Sequence, residues 1–183
     1  NYRVAALPEI LQDHGYYNFI SGKWHLGLTK EYWPSARGFE KSFTLLPGAG
    51  NHYKYFPLDE KTGDTIDFMK PLFQENGENF DPFTLPDGYY STKYFTDKFI
   101  EQLNDDVRKD RPFCGLLTYT APHWPYQAPE EVVQKYKGIY DNGPSQLRKK
   151  RLARAAELGI IPENVTPHEV LSQRAKAWKD LTP

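Results

Sequence analysis

The 183-residue chain has a single cysteine, Cys114, so no internal disulfide can staple it. It has no bias of charge either: 23 basic residues stand against 24 acidic ones for a net charge of −1. That balance gives no whole-chain electrostatic case for nucleic acid or an anionic membrane as partner. No apolar run is long enough to cross a bilayer. Nucleotide-loop geometry is missing, because no glycine stands five residues before Gly22 and neither Ser nor Thr follows Lys23. No serine sits in a Gly-x-Ser-x-Gly elbow, and no internal repeat is present. A secretory signal is absent too, which leans the expectation toward a cytoplasmic location; since the chain opens on Asn1 rather than Met, truncation reads equally well.

What is present is a folded composition: 39% hydrophobic, 26% charged and 15% aromatic residues, enough to bury a core. Chemistry concentrates in Ser21-Gly22-Lys23-Trp24-His25-Leu26-Gly27, a glycine-bracketed loop that presents a lysine and a histidine two residues apart. Both could face one anion, braced by Trp24 between them. The alternative is a strand end with a solvated lysine and a surface histidine.

Val4, Leu7, Ile10 and Leu11 recur at helical spacing, which predicts a helix over Val4 to Asp13 stopped by Gly15. Tyr16 to Ser21 reads as a strand that delivers the chain into the lysine-histidine loop. Residues 29–90 are rich in Pro and Gly without a long periodic run, and are expected to be an irregular excursion. A helix follows from an N-cap at Ser91, with Tyr94, Phe95, Phe99, Ile100, Leu103 and Val107 on one face. After a charged turn over Asp105 to Pro112, Phe113 to Thr120 is a continuous apolar run that predicts a central parallel strand buried on both faces. Cys114 lies in that run between Phe113 and Gly115, where burial raises a thiol pKa, so its expected role is structural.

The strand empties into Ala121-Pro122-His123-Trp124-Pro125-Tyr126-Gln127-Ala128-Pro129, a proline-stiffened loop. Glu130 to Tyr136, Pro144 to Leu158 with Gly159 as stop, and Pro167 to Trp178 read as peripheral helices. The basic run Arg148-Lys149-Lys150-Arg151 is expected to be a solvated helical face. Asn164-Val165-Thr166 is a glycosylation sequon followed by Pro167.

Helix, strand, loop, helix, strand, loop is the order of an α/β fold, in which ligands gather outside the carboxyl ends of parallel strands. Lys23, His25 and His123 are therefore expected on one edge, as a cation and two imidazoles suited to a tetrahedral oxyanion. As a metal site the set is poor, since the two histidines lack a third ligand of matched spacing and Lys23 would repel a cation.

Gly15-Tyr16 together with Ser21 to Gly27, and Ala121-Pro122-His123-Trp124-Pro125 with Gln127-Ala128-Pro129, resemble two motifs of the sulfatases, specifically the bacterial and fungal type of arylsulfatase in the alkaline-phosphatase-like superfamily. Ala36-Arg37-Gly38-Phe39-Glu40 and Leu45-Leu46-Pro47-Gly48-Ala49 are similar as well, so the resemblance covers most of the chain. It implies part of a mixed, mainly parallel sheet flanked by helices, the incomplete core of a sulfatase catalytic domain. Within it, 1–28 would carry the first site, 29–90 the excursion, 91–129 the second site and 130–183 peripheral helices.

The implied activity is hydrolysis of a small-molecule aryl sulfate to phenol and sulfate. It would use a formylglycine made from a Cys-x-Pro-Ser-Arg motif and a calcium-type divalent ion, both lying outside this segment, so the segment alone is expected to be inactive. The whole chain would meet formylglycine-generating machinery, with neither nucleic acid nor membrane as partner. By position, Lys23 would neutralise sulfate oxygens and His25 would hold the formylglycine hydrate and help regenerate the aldehyde. His123 would bind sulfate and assist the leaving group. Tyr53 and Tyr55, near Asn51 and His52, could wall an aryl group, with packing as the alternative. The competing functions are a phosphate or phosphonate ester hydrolase of the same superfamily, and a noncatalytic anion- or carbohydrate-binding module.

Overall fold

The computed structural model describes residues 3–56, 59–64 and 70–167. Two compact units are present, Asn1–Gln127 and Ala128–Pro183. The first is built on a sheet of five strands: β1 (Tyr17–Lys23), β2 (Lys41–Leu45), β3 (Phe73–Glu75), β4 (Glu78–Phe80) and β5 (Phe113–Thr118). Their order is β4-β3-β2-β1-β5. β1 pairs in parallel with both β2 and β5, while β3 and β4 extend the β2 side as an antiparallel hairpin. The mixed α/β sheet expected from the sequence is thus present.

Strand alternation sorts the side chains of β1 onto two faces. Tyr17, Phe19 and Ser21 face helix α2 (Ser91–Leu103), where Phe19 meets Phe99 at 4.9 Å between ring centroids and the Ser21 hydroxyl donates to the Phe95 carbonyl at 2.8 Å. Asn18 points the other way and donates to the Pro8 and Gly38 carbonyls, at 2.7 and 2.9 Å, tying down helix α1 (Leu7–Asp13). Phe43 of β2 is fully buried and touches the rings of Phe73, Phe80, Tyr94 and Phe95. Truncating it, Phe43→Ala, is expected to cost about 3–5 kcal/mol, because transfer and cavity terms add; a denaturant midpoint with unchanged slope measures this.

At the opposite edge Arg111 ties the entries of three strands. It donates to the Gly15 and Tyr16 carbonyls at 3.2 and 3.0 Å and holds Glu40 through two bonds, of 3.1 and 2.7 Å. Its guanidinium also lies over the Tyr17 ring, and burial first of all pushes the Tyr17 phenol up to about 12. That phenol therefore stays protonated and donates to the Gln102 carbonyl at 3.2 Å.

Several sequence expectations are corrected. The excursion is not wholly irregular: it contains β2, β3 and β4, strands of only five, three and three residues set among Pro and Gly, too short to stand out as a periodic run; β2 alternates Phe43 and Leu45 with the polar Ser42 and Thr44. Both polar side chains are fully buried, and Gln74 of β3 satisfies them: it accepts from Ser42 at 3.2 Å and donates to Thr44 at 2.8 Å. The apolar run after Pro112 is an edge strand of the described sheet, not a central one, and Phe113 and Leu116 stay 46% and 40% exposed. The buried centre is β1. Helix α1 starts at Leu7 rather than Val4, and Leu7 and Ile10 of its apolar stripe are exposed while Pro8 is buried. Ser91 opens α2 instead of capping it, because its hydroxyl is engaged elsewhere; Val107 falls in the turn beyond the helix.

The second unit contains α3 (Glu130–Val133), a 3-10 turn over Gln134–Tyr136 and α4 (Gly143–Glu157). On α4, Lys149, Lys150 and Arg151 are exposed, as expected of a solvated face. Asn164 lies exposed in a turn. The expected helix over Pro167 to Trp178 lies, beyond its first residue, outside the described residues. Among the described residues no helix is long and apolar enough to cross a membrane.

Candidate active site

Three parallel strands running the same way must deliver their following loops to one edge. Here those loops are 24–29 after β1, 46–53 after β2 and 119–127 after β5; Lys23 ends β1, and His25 and His123 lie in the loops beyond β1 and β5.

Lys23 is the last residue of β1. Its Nζ donates to the Gly48 carbonyl at 3.2 Å, and its own carbonyl accepts from the Thr118 hydroxyl at 2.7 Å. Beyond the strand the main chain stays pinned to the β2 loop, with Trp24 N–H to the Leu45 carbonyl at 2.9 Å and His25 N–H to that of Leu46 at 3.0 Å. Trp24 braces the turn as expected: its Nε1 donates to the Tyr32 carbonyl at 2.8 Å, and its ring meets Phe39 edge-on at 6.0 Å. His25 holds a positive φ of 58°. Its ring lies against Gly48, where an added Cβ would come within 2.4 Å of Cε1 and Nε2. Gly48 thus brings the lysine and the histidine together, taking the ammonium on its carbonyl and the imidazole against its Cα.

The substitution Gly48→Ala is therefore expected to evict the His25 ring while sparing the sheet, since that ring sits at the surface and can swing away. Any turnover that depends on His25 would fall by about 10²-fold with little change in melting temperature, which kinetics and a melt on the same preparation would check.

His123 sits in the loop after β5, beside the Trp124 ring. Its Nδ1 lies 2.7 Å from the Trp124 carbonyl, an acceptor only, so Nδ1 carries the hydrogen. Nε2 is left as the working nitrogen, bearing a proton only when the ring is charged. Neither Lys23 nor His25 is a partner of this ring. The link runs instead through His52, which sequence reasoning passed over as a neighbour of tyrosines. His52 is 1% exposed; its Nε2 lies 3.2 Å from the His123 carbonyl and its Nδ1 2.9 Å from the Ser91 hydroxyl. Since a carbonyl only accepts, Nε2 is the donor, and in the neutral ring Nδ1 accepts from Ser91. The main-chain N–H of His52 donates to the Gln127 side chain at 2.9 Å. The missed signal was a histidine placed just after Pro47-Gly48-Ala49-Gly50, legible only once β2 is recognised as a third parallel strand.

Of the two tyrosines, Tyr53 packs against Tyr90 at 5.2 Å between centroids, while Tyr55 is 65% exposed. A cleft of about 310 Å³ on this unit is lined by Ala6, Pro8, Trp24, Leu26, Tyr32, Arg37, Phe39 and Leu116. It is mostly apolar, and Arg37, its cation, is engaged by Glu9 at 3.3 Å, so it does not serve as the anion pocket. No cluster of three His, Cys, Asp or Glu able to hold a metal occurs among the described residues. Cys114 is half-buried on the edge strand, between Phe113 and Gly115.

The sulfatase family model matches residues 2–178. The chain belongs to the sulfatase family. An uncharacterized sulfatase of Schizosaccharomyces pombe is 49% identical over all of this chain and 32% of its own length. An arylsulfatase of Klebsiella aerogenes is 33% identical over 99% of this chain and 37% of its own. Among solved structures, Ps i-CgsB in complex with k-i-k-neocarrahexaose superposes with a TM-score of 0.59 and 25% identity, over 72% of this chain and 30% of that one. This sulfatase chain spans about a third of the length of the two curated relatives.

Proposed function

We propose that this chain is the sulfate-binding segment of a longer arylsulfatase, which hydrolyses an aryl sulfate ester to a phenol and sulfate. The observation that carries the reading is the shared loop after β2: Gly48 holds Lys23 and His25, and four residues on His52 holds the loop of His123. Kinship at 33% identity with an arylsulfatase supports the aryl substrate.

In this reading the Lys23 ammonium neutralises the sulfate oxygens, its position fixed by the Gly48 carbonyl. His123, with Nδ1 committed to Trp124, presents Nε2 to the ester oxygen. The ring in its charged form donates that proton to the ester oxygen as the S–O bond breaks, so that the phenol leaves neutral. His25 carries protons on the nucleophile's side of the anion. The described residues do not fit a divalent cation, for want of a carboxylate and imidazole cluster, and Cys114 lacks the setting of a formylglycine precursor. Metal and formylglycine would come from parts of the enzyme other than the described residues, the formylglycine supplying the nucleophile that attacks sulfur as the ester oxygen leaves. The small-molecule sulfate ester remains the proposed partner, with formylglycine-generating machinery acting on the whole enzyme.

Assaying the full-length enzyme in parallel on nitrophenyl sulfate and nitrophenyl phosphate tests the reading. Sulfate is expected to be turned over with kcat/KM at least about 10²-fold higher. The reverse ranking would make it a phosphate or phosphonate ester hydrolase, and turnover of neither would favour an anion-binding module.

A further inference from the structure

We propose that His52 is a positioning residue for His123, setting where its imidazole stands against the substrate; this rests on the reading of His123 as a site residue. Three observations converge. His52 is buried to 1% exposure, yet it lies in a loop, where an unsatisfied imidazole would be costly. Every polar group of the residue is spent on joining segments far apart in the chain. Nε2 holds the His123 carbonyl, Nδ1 the Ser91 hydroxyl, the main-chain N–H the Gln127 side chain, and the main-chain carbonyl the Ser91 N–H at 2.8 Å. The loop after β5 is thereby gripped at two points, His123 and Gln127, on either side of Trp124, whose carbonyl fixes the His123 ring.

The same loop after β2 carries Gly48, which locates Lys23 and His25. One strap, residues 48–52, thus sets all three candidate site residues on a common template. Displacing His123 by an ångström would spoil proton delivery more than binding, because charge neutralisation by Lys23 tolerates small errors that proton transfer does not.

Two amides separate positioning from mere bulk. In His52→Gln the side-chain nitrogen reaches about as far as Nε2 and can still donate to the His123 carbonyl; in His52→Asn it reaches only as far as Nδ1. Both are to be made in the full-length enzyme, alone and with His123→Ala. The readouts are kcat and KM on nitrophenyl sulfate, a thermal melt, and the His123 imidazole resonance in histidine-labelled protein, with His14→Ala as an exposed control.

His52→Asn is expected to lower kcat by at least about tenfold and to leave KM within about threefold. It should move the His123 resonance and cost nothing further in the His123→Ala background. His52→Gln should recover most of the kcat and the resonance. Equal kcat for the two amides, an unmoved His123 resonance, or a full His52→Asn penalty persisting without His123 would overturn the proposal. If the unaltered enzyme turns over no sulfate ester, the sulfatase reading fails separately and the resonance decides: movement in Asn but not Gln upholds positioning, and no movement refutes it. If His52→Asn does not fold, Gln127→Ala takes its place, with the same fall in kcat expected and an unchanged kcat fatal.

Discussion

Lys23→Ala in the full-length enzyme should lower kcat/KM for nitrophenyl sulfate by about 10²–10³-fold, the usual cost of removing one fixed group that stabilises charge in a transition state. The same change should scarcely alter folding. Lys23 is half-buried at a strand end, and its side chain makes one hydrogen bond, at 3.2 Å, to a carbonyl that water can take over. Lys23→Arg should recover only part of the rate, because a planar guanidinium cannot place its charge where a compact ammonium beside Gly48 does. Steady-state kinetics with a melt on each preparation check this. A fall of less than about fivefold for the alanine variant would remove Lys23 from the anion site.

Gly22→Ala should cost more than about 3 kcal/mol of stability, with failure to fold as its extreme. Gly22 is paired with Thr118 across the β1–β5 junction and holds φ at +126°, which a side chain rarely adopts. A Cβ there would lie 1.9 Å from the Thr118 carbonyl oxygen, and rigid backbone on both strands cannot give. Because the strands that part are the two that carry Lys23 and His123, any residual folded enzyme should also be inactive. Urea unfolding measures the first effect; a loss below about 1 kcal/mol would mean that the strands do not pair in this register.

How much of this was legible beforehand divides along physical lines. The lysine-histidine loop and the His123 loop stand out in the sequence because each follows a run of strand-forming residues and concentrates titratable side chains in a few positions, and the structure places each at the end of a strand. Their placement on one edge followed from parallel strands alone. Strand β2 is hard to read because it is only five residues long, between Gly38 and Pro47, and the Gln74 that satisfies its buried Ser42 and Thr44 is 30 residues away from Thr44. With β2 went the third loop, and with that loop went Gly48 and His52. The apolar Phe113–Thr118 run was read as central because periodicity reports burial only in part; Leu116 at 40% exposure shows the difference. Long-range satisfaction of buried polar groups is where local pattern gives out.

Lys23, His25 and His123 are proposed to serve one sulfate. The most direct measurement is titration of the full-length enzyme with inorganic sulfate, followed through the imidazole resonances of His25 and His123 in histidine-labelled protein. Both resonances should move along a single isotherm with one Kd, and both movements should vanish together in Lys23→Ala. Separate isotherms for the two histidines, or shifts that persist without Lys23, would contradict a shared site.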